Sequence, residues 1–401
     1  MKQPLRQGID NLDYSLLSGL KIALITNHTA VNREGISTLQ ILLQNRIAVS
    51  LVYSLEHGYF PVAQDMESVG QENRILDVPV ISLYGNEVSS LEPDPEYFNR
   101  FDAIIYDVQD IGSRYYTYLQ SLSIFMDYLE QHPKPLFILD RINPINGIDI
   151  EGAILEERYA SFVGRFPLIH RHGLTSGELA RYYYQMKGMS FPMEIIPITG
   201  WCRDSFYDDY DYPWIPTSPN MPTVDTAILY PGGCLLEGTN LSEGRGTTFP
   251  FLAIGKAGID PFRLKDELDR LEIPGLTFMP LEFRPMFQKE AGQRCGGVYI
   301  HLADRRPVRP FRAYMQIIQV FRRMVGDHDF FRSQPYEFIR EIPAIELLLG
   351  HHRLIEMVYR QADFSQIDDF LYGEEQVFHQ LRKDSLIYPS LDNPKSGDEK
   401  G

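Results

Sequence analysis

A chain of 401 residues is too long for one small hydrophobic core, and two domains are the natural expectation. Its 54 acidic against 38 basic residues leave a formal charge of -16, which argues against a nucleic-acid partner, because phosphate backbones are bound by basic surface. A small anionic ligand stays open, since it needs only one or two local arginines. Three widely spaced cysteines, Cys202, Cys234 and Cys295, contain no CxxC pair, so neither a disulfide framework nor a zinc knuckle is signalled and buried free thiols are expected.

The N-terminal MKQPLRQGIDNLDYSLL has no apolar h-region, and no run of about 18 apolar residues could span a bilayer. A cytoplasmic protein is expected as written, or a periplasmic or extracellular one if the natural start lies upstream. Nothing in the sequence fixes an oligomeric state. From Lys21 onward, short apolar runs alternate with helical stretches. Strands are expected at 21–27, 48–55, 78–84, 103–108 and 135–140, with helices at 36–45, 95–99 and 114–130. Near-continuous Val/Ile/Leu runs separated by helices predict an α/β fold: a Rossmann-like, doubly wound parallel sheet covered on both faces.

In such a sheet the carboxyl ends of the strands share one edge, where ligands bind. Asn27 and His28 follow the first run, and Glu56-His57-Gly58 the second. Tyr84-Gly85-Asn86 follow the third, Asp107 and Asp110 the fourth, and Asp140-Arg141 the fifth. Strand ends are commonly polar because loops are, which accounts for the asparagines. It accounts less well for a Glu-His-Gly, two aspartates and an arginine on one edge. The stretch FDAIIYDVQDIGSRYYTYLQSL, residues 101–122, joins such a strand to a helix with Tyr115, Leu119, Leu122 and Met126 on one face. On its own, Asp107 and Asp110 could equally cap the turn and pair with Arg114. No GxGxxG, GxxxxGK[ST] or GxSxG occurs, which disfavours a dinucleotide, a nucleoside triphosphate and a serine hydrolase elbow.

Further on, Thr175 and Glu178 form a capping box that opens a helix, just after His170 and His172. No HExxH or paired carboxylate accompanies these histidines, so no metal is expected, and His172 reads as a substrate-positioning group. A further strand is expected at 193–198. Residues 201–251 are rich in turn formers and small polar groups, including Asn220, Glu237, Asn240, Glu243 and Arg245, and are expected to be a functional loop region. Beyond about Asp260, helices and a strand at 296–304 suggest a smaller α+β domain. The run Arg305, Arg306, Arg309 and Arg312 is expected on solvated surface. The tail after Pro389 is polar and expected to be disordered. Acids at a sheet edge beside aromatic side chains, with no nucleophile motif and no metal set, suit carbohydrate chemistry.

The motifs SLEHGYF, ISLYGNE, YDVQDIGSRYYTY, LDRINPINGIDIEG, RHGLTSGELA, TSPNMPT, YPGGCLLEGTNLSEGRGTTFPF and CGGVYIHLADRRPVRPF occur in this order. Together, from about residue 6 to 388, they resemble the bacterial family of exo-β-N-acetylmuramidases called NamZ, long described as a domain of unknown function. The resemblance implies a Rossmann-like catalytic domain, placed at 1–245, an auxiliary domain at 246–389 and a tail at 390–401. It implies hydrolysis of terminal N-acetylmuramic acid from peptidoglycan fragments, without a cofactor. The acid of the family's Glu-His-Gly motif falls on Glu56, the expected general acid. Asp110, Asp107 and then Glu243 are candidates for the second carboxylate. Arg114, Arg141 and Arg245 are candidates to grip the lactyl carboxylate. Asn27, His57, Tyr116, His172, Asn220 and Asn240 complete the expected pocket.

Two features depart from the family pattern: Leu55 stands where a proline is common, and YFPVAQDMESVG replaces a glycine-rich continuation. The altered loop keeps a non-catalytic cell-wall sugar-binding protein as the alternative. A sugar-phosphate lyase or isomerase on the same scaffold is a weaker third.

Overall fold

The computed structural model describes residues 4–64, 67, 74–85 and 87–389. Its main sheet has seven strands: β1 (Lys21–Thr26), β2 (Ala48–Ser54), β3 (Arg74–Ile75), β4 (Val78–Ser82), β5 (Ala103–Asp107), β6 (Leu136–Leu139) and β7 (Met193–Ile196). They lie in the order β3-β4-β2-β1-β5-β6-β7. All neighbours are parallel except the β3–β4 hairpin.

The near-continuous apolar character of the central strands follows from two covered faces. Ile22 and Leu24 of β1 join Ala103 and Ile105 of β5 in one core with Leu39 and Leu42 of helix Thr38–Gln44. The alternate residues, Ala23, Ile25, Ile104 and Tyr106, face the other core with Leu119, Leu122 and Met126 of helix Thr117–Gln131. A period of two thus divides each strand between two cores, leaving no polar face.

A second, smaller sheet is antiparallel, in the order β8-β10-β9, with β8 at Ala253–Ala257, β9 at Leu276–Phe283 and β10 at Cys295–Leu302. Helix Pro310–Val325 packs against helix Val224–Gly233, and Gly232 permits the approach: a Cβ there would stand 2.1 Å from the Pro310 carbonyl oxygen. No helix among the described residues is long and apolar enough to cross a membrane.

Three sequence expectations need correction. Residues 201–251 are not loop throughout, because helix Val224–Gly233 lies inside them. Thr223 caps that helix by accepting from the Thr226 N–H at 3.2 Å, and every residue in it except Asp225 is buried. Pro231 is tolerated in its last turn. Second, the helix expected from residue 114 begins at Thr117. The preceding backbone is claimed elsewhere, with Ser113 bridging to Arg171 and the Arg114 N–H donating to the His170 carbonyl at 2.8 Å. Third, the arginine run is only partly solvated: Arg306 is exposed and Arg309 partly so, whereas Arg312 is largely covered. Three of the four pair with acids from distant elements. Arg305 pairs with Asp208 and Asp209, Arg309 with Asp149, and Arg312 with Asp368 and Glu375. The expected tail at 390–401 and Asn86 lie outside the described residues.

Candidate active site

Strand β2 delivers Glu56 to the carboxyl edge of the sheet. The chain leaves the strand in a tight turn whose Leu55 carbonyl accepts from the Gly58 N–H at 3.0 Å. Within it, His57 adopts φ +70°, a left-handed conformation uncommon for a residue with a Cβ. Such backbone costs on the order of 1–3 kcal/mol and clusters where positioning matters. His57 is further tied by a 2.9 Å hydrogen bond between Nδ1 and the Ala63 carbonyl. Glu56 itself is only 4% exposed, and its Oε2 accepts from the Thr117 hydroxyl in the first turn of helix Thr117–Gln131.

Around Glu56 lies a polar cavity with about 40 Å³ of enclosed space. That volume holds a few waters, well below small-molecule sites of about 300–1,000 Å³. His57, Tyr116, Asn220 and Arg245 share its wall. Asn220 donates to the Gln64 Oε1 at 2.9 Å, and the Tyr116 hydroxyl donates to the Thr217 Oγ1 at 2.5 Å. Arg245 is the only arginine or lysine among the described residues lining the cavity. It donates to the Glu237 Oε1 at 2.7 Å, while the Tyr336 hydroxyl donates to the other Glu237 oxygen at 2.6 Å.

A second polar group sits where β1 and β5 end. The Asp110 Oδ2 accepts from the Gly112 N–H at 2.6 Å, whereas its Oδ1 is buried without a hydrogen-bond partner among the described residues. Gly112 makes this turn at φ +82°, with the Asn143 amide 2.5 Å from where a Cβ would stand. Burial pushes the Asp110 carboxyl up to about 7. His172 lies 3.8 Å away, Nε2 to Oδ2, and its Nδ1 accepts from the Leu174 N–H at 3.1 Å. That bond puts the imidazole hydrogen on Nε2, on the Asp110 side. Burial first, and Arg382 second, hold His172 down to about 3, so it is neutral. The buried Asn27 accepts from the Thr29 N–H and hydroxyl through Oδ1, while its Nδ2 has no hydrogen-bond partner among the described residues. Asp110, His172 and Asn27 are not among the described residues that line the Glu56 cavity.

The other expected site residues are engaged elsewhere. Asp107 forms a fully buried ion pair with Arg141 and accepts from the Thr38 hydroxyl, and Arg141 also donates to the Val31 carbonyl at 3.0 Å. Neither belongs to the cavity wall; together they tie the strand ends. Arg114 is fully buried and donates to the carbonyls of Ala153 and Leu168 at 3.0 Å and of Leu348 at 2.7 Å, bracing the segment before helix His352–Tyr359. Its guanidinium serves backbone rather than an incoming carboxylate. Asn240 donates to the Asp329 carbonyl at 2.9 Å, whereas Glu243 pairs with Lys289 at 2.7 Å and also with Arg245 of the cavity wall at 3.5 Å.

Two family models match the chain consecutively: Exo-beta-N-acetylmuramidase NamZ, N-terminal, over residues 22–225, and Exo-beta-N-acetylmuramidase NamZ, C-terminal, over 228–388. The chain belongs to the NamZ family. It is 35% identical over 392 residues to the peptidoglycan beta-N-acetylmuramidase NamZ of Bacillus subtilis, covering 96% of this chain and 92% of that one. A crystal structure of a DUF1343 family protein from Bacteroides fragilis matches with a TM-score of 0.84 at 28% identity, over 96% of this chain and 99% of that chain. A second DUF1343 family protein of that organism gives 0.75 at 27%, over 97% and 100%.

Several wall residues of this NamZ-family cavity have no individual role assigned from sequence. Glu237 stands in the EGTN motif and could have been weighed beside Glu243. Thr117 carries no signal beyond being next to two tyrosines. Tyr336 and Glu337 come from a C-terminal segment without any motif. A separate cluster, Glu156 with His351 and His352, has a spacing that could hold a metal ion but lies apart from the cavity wall. There the His351 Nδ1 already accepts from the Arg353 N–H at 3.2 Å, which leaves the hydrogen on the Nε2 facing Glu156.

Proposed function

We propose that this chain is an exo-acting glycoside hydrolase that releases terminal N-acetylmuramic acid from peptidoglycan fragments in cell-wall turnover and recycling. The observation that carries the reading is Glu56: a buried carboxylic acid on the wall of a polar cavity, gripped by Thr117, in a NamZ-family chain. Glycoside hydrolysis needs an acid to protonate the departing oxygen and a second group to steady the positive charge that develops on the sugar. Glu56 takes the first role. As the C1–O bond breaks, its proton passes to the glycosidic oxygen; water then adds at C1, and the proton it releases restores the acid.

Asp110 takes the second role, its Oδ1 open and its partner His172 neutral. Arg245 supplies the positive charge for the lactyl carboxylate, while His57, Tyr116 and Asn220 position polar groups of the sugar. In this reading residues 1–245 form the catalytic unit, and the auxiliary unit, 246–389, contributes Phe251, Tyr336 and Glu337 to the same wall.

A chromogenic β-glycoside of N-acetylmuramic acid tests the reading. Wild type should release the chromophore, and Glu56→Gln should lower kcat about 10²–10⁴-fold with the thermal transition preserved. Tight binding of muropeptide sugars without turnover by wild type would instead make this a sugar-binding protein.

A further inference from the structure

The sheet builds one way from β1 to β4 and the other way from β5 to β7. Where such an order reverses, a crevice opens beyond the strand ends. Four buried side chains gather there, each with a polar atom to spare. The Asn27 Nδ2, Gln109 Oε1, Asp110 Oδ1 and His172 Nε2 have no hydrogen-bond partner among the described residues. Their residues are 1%, 3%, 5% and 0% exposed, so bulk water does not serve these atoms. The four form one run of neighbours. The Thr29 hydroxyl donates to the Asn27 Oδ1 at 2.5 Å and accepts from the Gln109 N–H at 3.2 Å. The Gln109 Nε2 donates to the Asp110 carbonyl at 2.7 Å, and the His172 Nε2 lies 3.8 Å from the Asp110 Oδ2.

What each spare atom can do is fixed by what holds the other end of its side chain. The Asn27 Oδ1 accepts from the Thr29 N–H at 3.0 Å, so the amide nitrogen is the free end and a donor. The Gln109 Nε2 donates to the Asp110 and Ile142 carbonyls at 2.7 and 2.9 Å, so its Oε1 is the free end and an acceptor. The His172 Nδ1 accepts from the Leu174 N–H, which makes Nε2 the donor. The Asp110 Oδ2 accepts from the Gly112 N–H, which leaves Oδ1 to accept. Two donors and two acceptors of fixed polarity thus stand unmatched among the described residues, a costly arrangement unless a ligand completes it.

We infer that this set recognises the 2-acetamido group of the terminal sugar: its carbonyl accepts from Asn27 and His172, and its N–H donates to Gln109. The Asp110 Oδ1 stays free for the charge at C1, the carbon next to the one that bears the acetamido group. This rests on the glycosidase reading above. Among the polar groups of N-acetylmuramic acid, a hydroxyl carries donor and acceptor on one atom, and the ionised lactyl group carries acceptors only. The acetamido group separates a donor from an oxygen with two lone pairs, as two fixed donors and a fixed acceptor on different segments require. The placement also suits Glu56 as the acid. Glu56 follows β2 and Asp110 follows β5, with β1 alone between those strands. Neighbouring strands lie about 4.8 Å apart, so one pyranose with its acetamido arm reaches from one strand end to the other. The loops after β1 and β2 touch, the His28 N–H donating to the Tyr59 carbonyl at 2.9 Å.

The test compares two chromogenic β-glycosides that differ at C2 alone: that of N-acetylmuramic acid, and its analogue with a hydroxyl in place of the acetamido group. Asn27→Asp keeps the oxygen that Thr29 holds and removes the donor. It should lower the acetamido-to-hydroxyl ratio of kcat/KM about tenfold or more, the scale of a buried carbonyl left unpaired. The added negative charge meets the lactyl group of both substrates alike and cancels in the ratio. Gln109→Met removes the acceptor and should lower the same ratio. A ratio unchanged in either folded variant would overturn the inference, whether activity fell equally on both substrates or on neither, and would leave the four atoms to ordered water.

Calorimetry of free N-acetylmuramic acid and its 2-hydroxy analogue with Glu56→Gln, with and without Asn27→Asp, separates this from the parent reading. A binding preference for the acetamido sugar that depends on Asn27, in a chain whose wild type hydrolyses neither glycoside, would leave the pocket standing and remove the hydrolase. Hydrolysis with no Asn27-dependent preference would do the reverse.

Discussion

The Thr117 hydroxyl donates to the Glu56 carboxylate, joining the turn after β2 to the first turn of helix Thr117–Gln131. Both partners are buried, so the contact fixes where the acid points. Leaving a buried hydrogen-bonding group unpaired costs about 1–3 kcal/mol, so Thr117→Val should lower kcat roughly 10-fold or more as the acid loses its orientation, with part of the cost seen as a lower thermal transition. Thr117→Ser keeps the donor and should recover most of the rate. Equal activity in Thr117→Val and wild type would show that Glu56 is positioned by something else.

Asp107 and Arg141 lie off the cavity wall, and changes to them should be read in stability. Their pair is fully buried and cross-linked to Thr38 and Val31. Removing one member leaves a buried charge uncompensated, at about 3–5 kcal/mol. Asp107→Asn should therefore shift the urea midpoint strongly downward, and Asp107→Asn with Arg141→Met should recover much of the loss. Had Arg141 gripped the substrate, its variants would instead raise KM in a fold of normal stability.

In the proposed mechanism the pH dependence of the site would come from Asp110. Burial raises its pKa from the ordinary carboxylate range to about 7, so the folded chain holds this proton more tightly than the unfolded chain does. Its contribution to stability is full below about pH 4 and is lost as pH rises through about 7. Asp140 and Glu151, also raised to about 7 by burial, act in the same direction. Denaturation at pH 5 and pH 8 should show Asp110→Asn losing part of the wild-type difference, with Asp140 and Glu151 supplying the remainder. In the proposed mechanism the ionised form does the work, so the wild-type rate should climb with a midpoint near pH 7. Asp110→Asn should be slow, without that limb.

The parallel sheet was legible because β1, β5 and β6 are apolar at nearly every position, a pattern only a doubly covered strand requires. The carboxyl edge followed from topology, and with it the placement of Glu56 and Asp110 just past the ends of β2 and β5. The fates of the arginines did not follow. Arg141 meets Asp107 across 34 residues, and Arg114 meets the Leu348 carbonyl across 234. A guanidinium waiting for a substrate and one already engaged by backbone look alike in sequence. Strand β9 was missed for a different reason: with one buried residue in eight and Pro280 inside it, it lacks the alternation that marks a half-buried strand. Helix Val224–Gly233 was hidden by the turn-forming residues around it.

Arg245 is the remaining arginine of the three expected to meet the lactyl carboxylate, and it does line the cavity. Glu237 holds it at 2.7 Å and is itself held by Tyr336, so the guanidinium is oriented from behind. Replacing it by an uncharged residue would strand Glu237, which confuses binding with stability. Arg245→Lys keeps the charge and loses the planar fork that meets a carboxylate with two parallel hydrogen bonds. Preference for an N-acetylmuramic acid glycoside over the matching N-acetylglucosamine glycoside, which lacks the lactyl group, should then fall about 10- to 100-fold, the scale of a hydrogen bond to a charged group. The change should sit in KM for the muramic acid substrate alone. An unchanged preference would move the carboxylate away from Arg245.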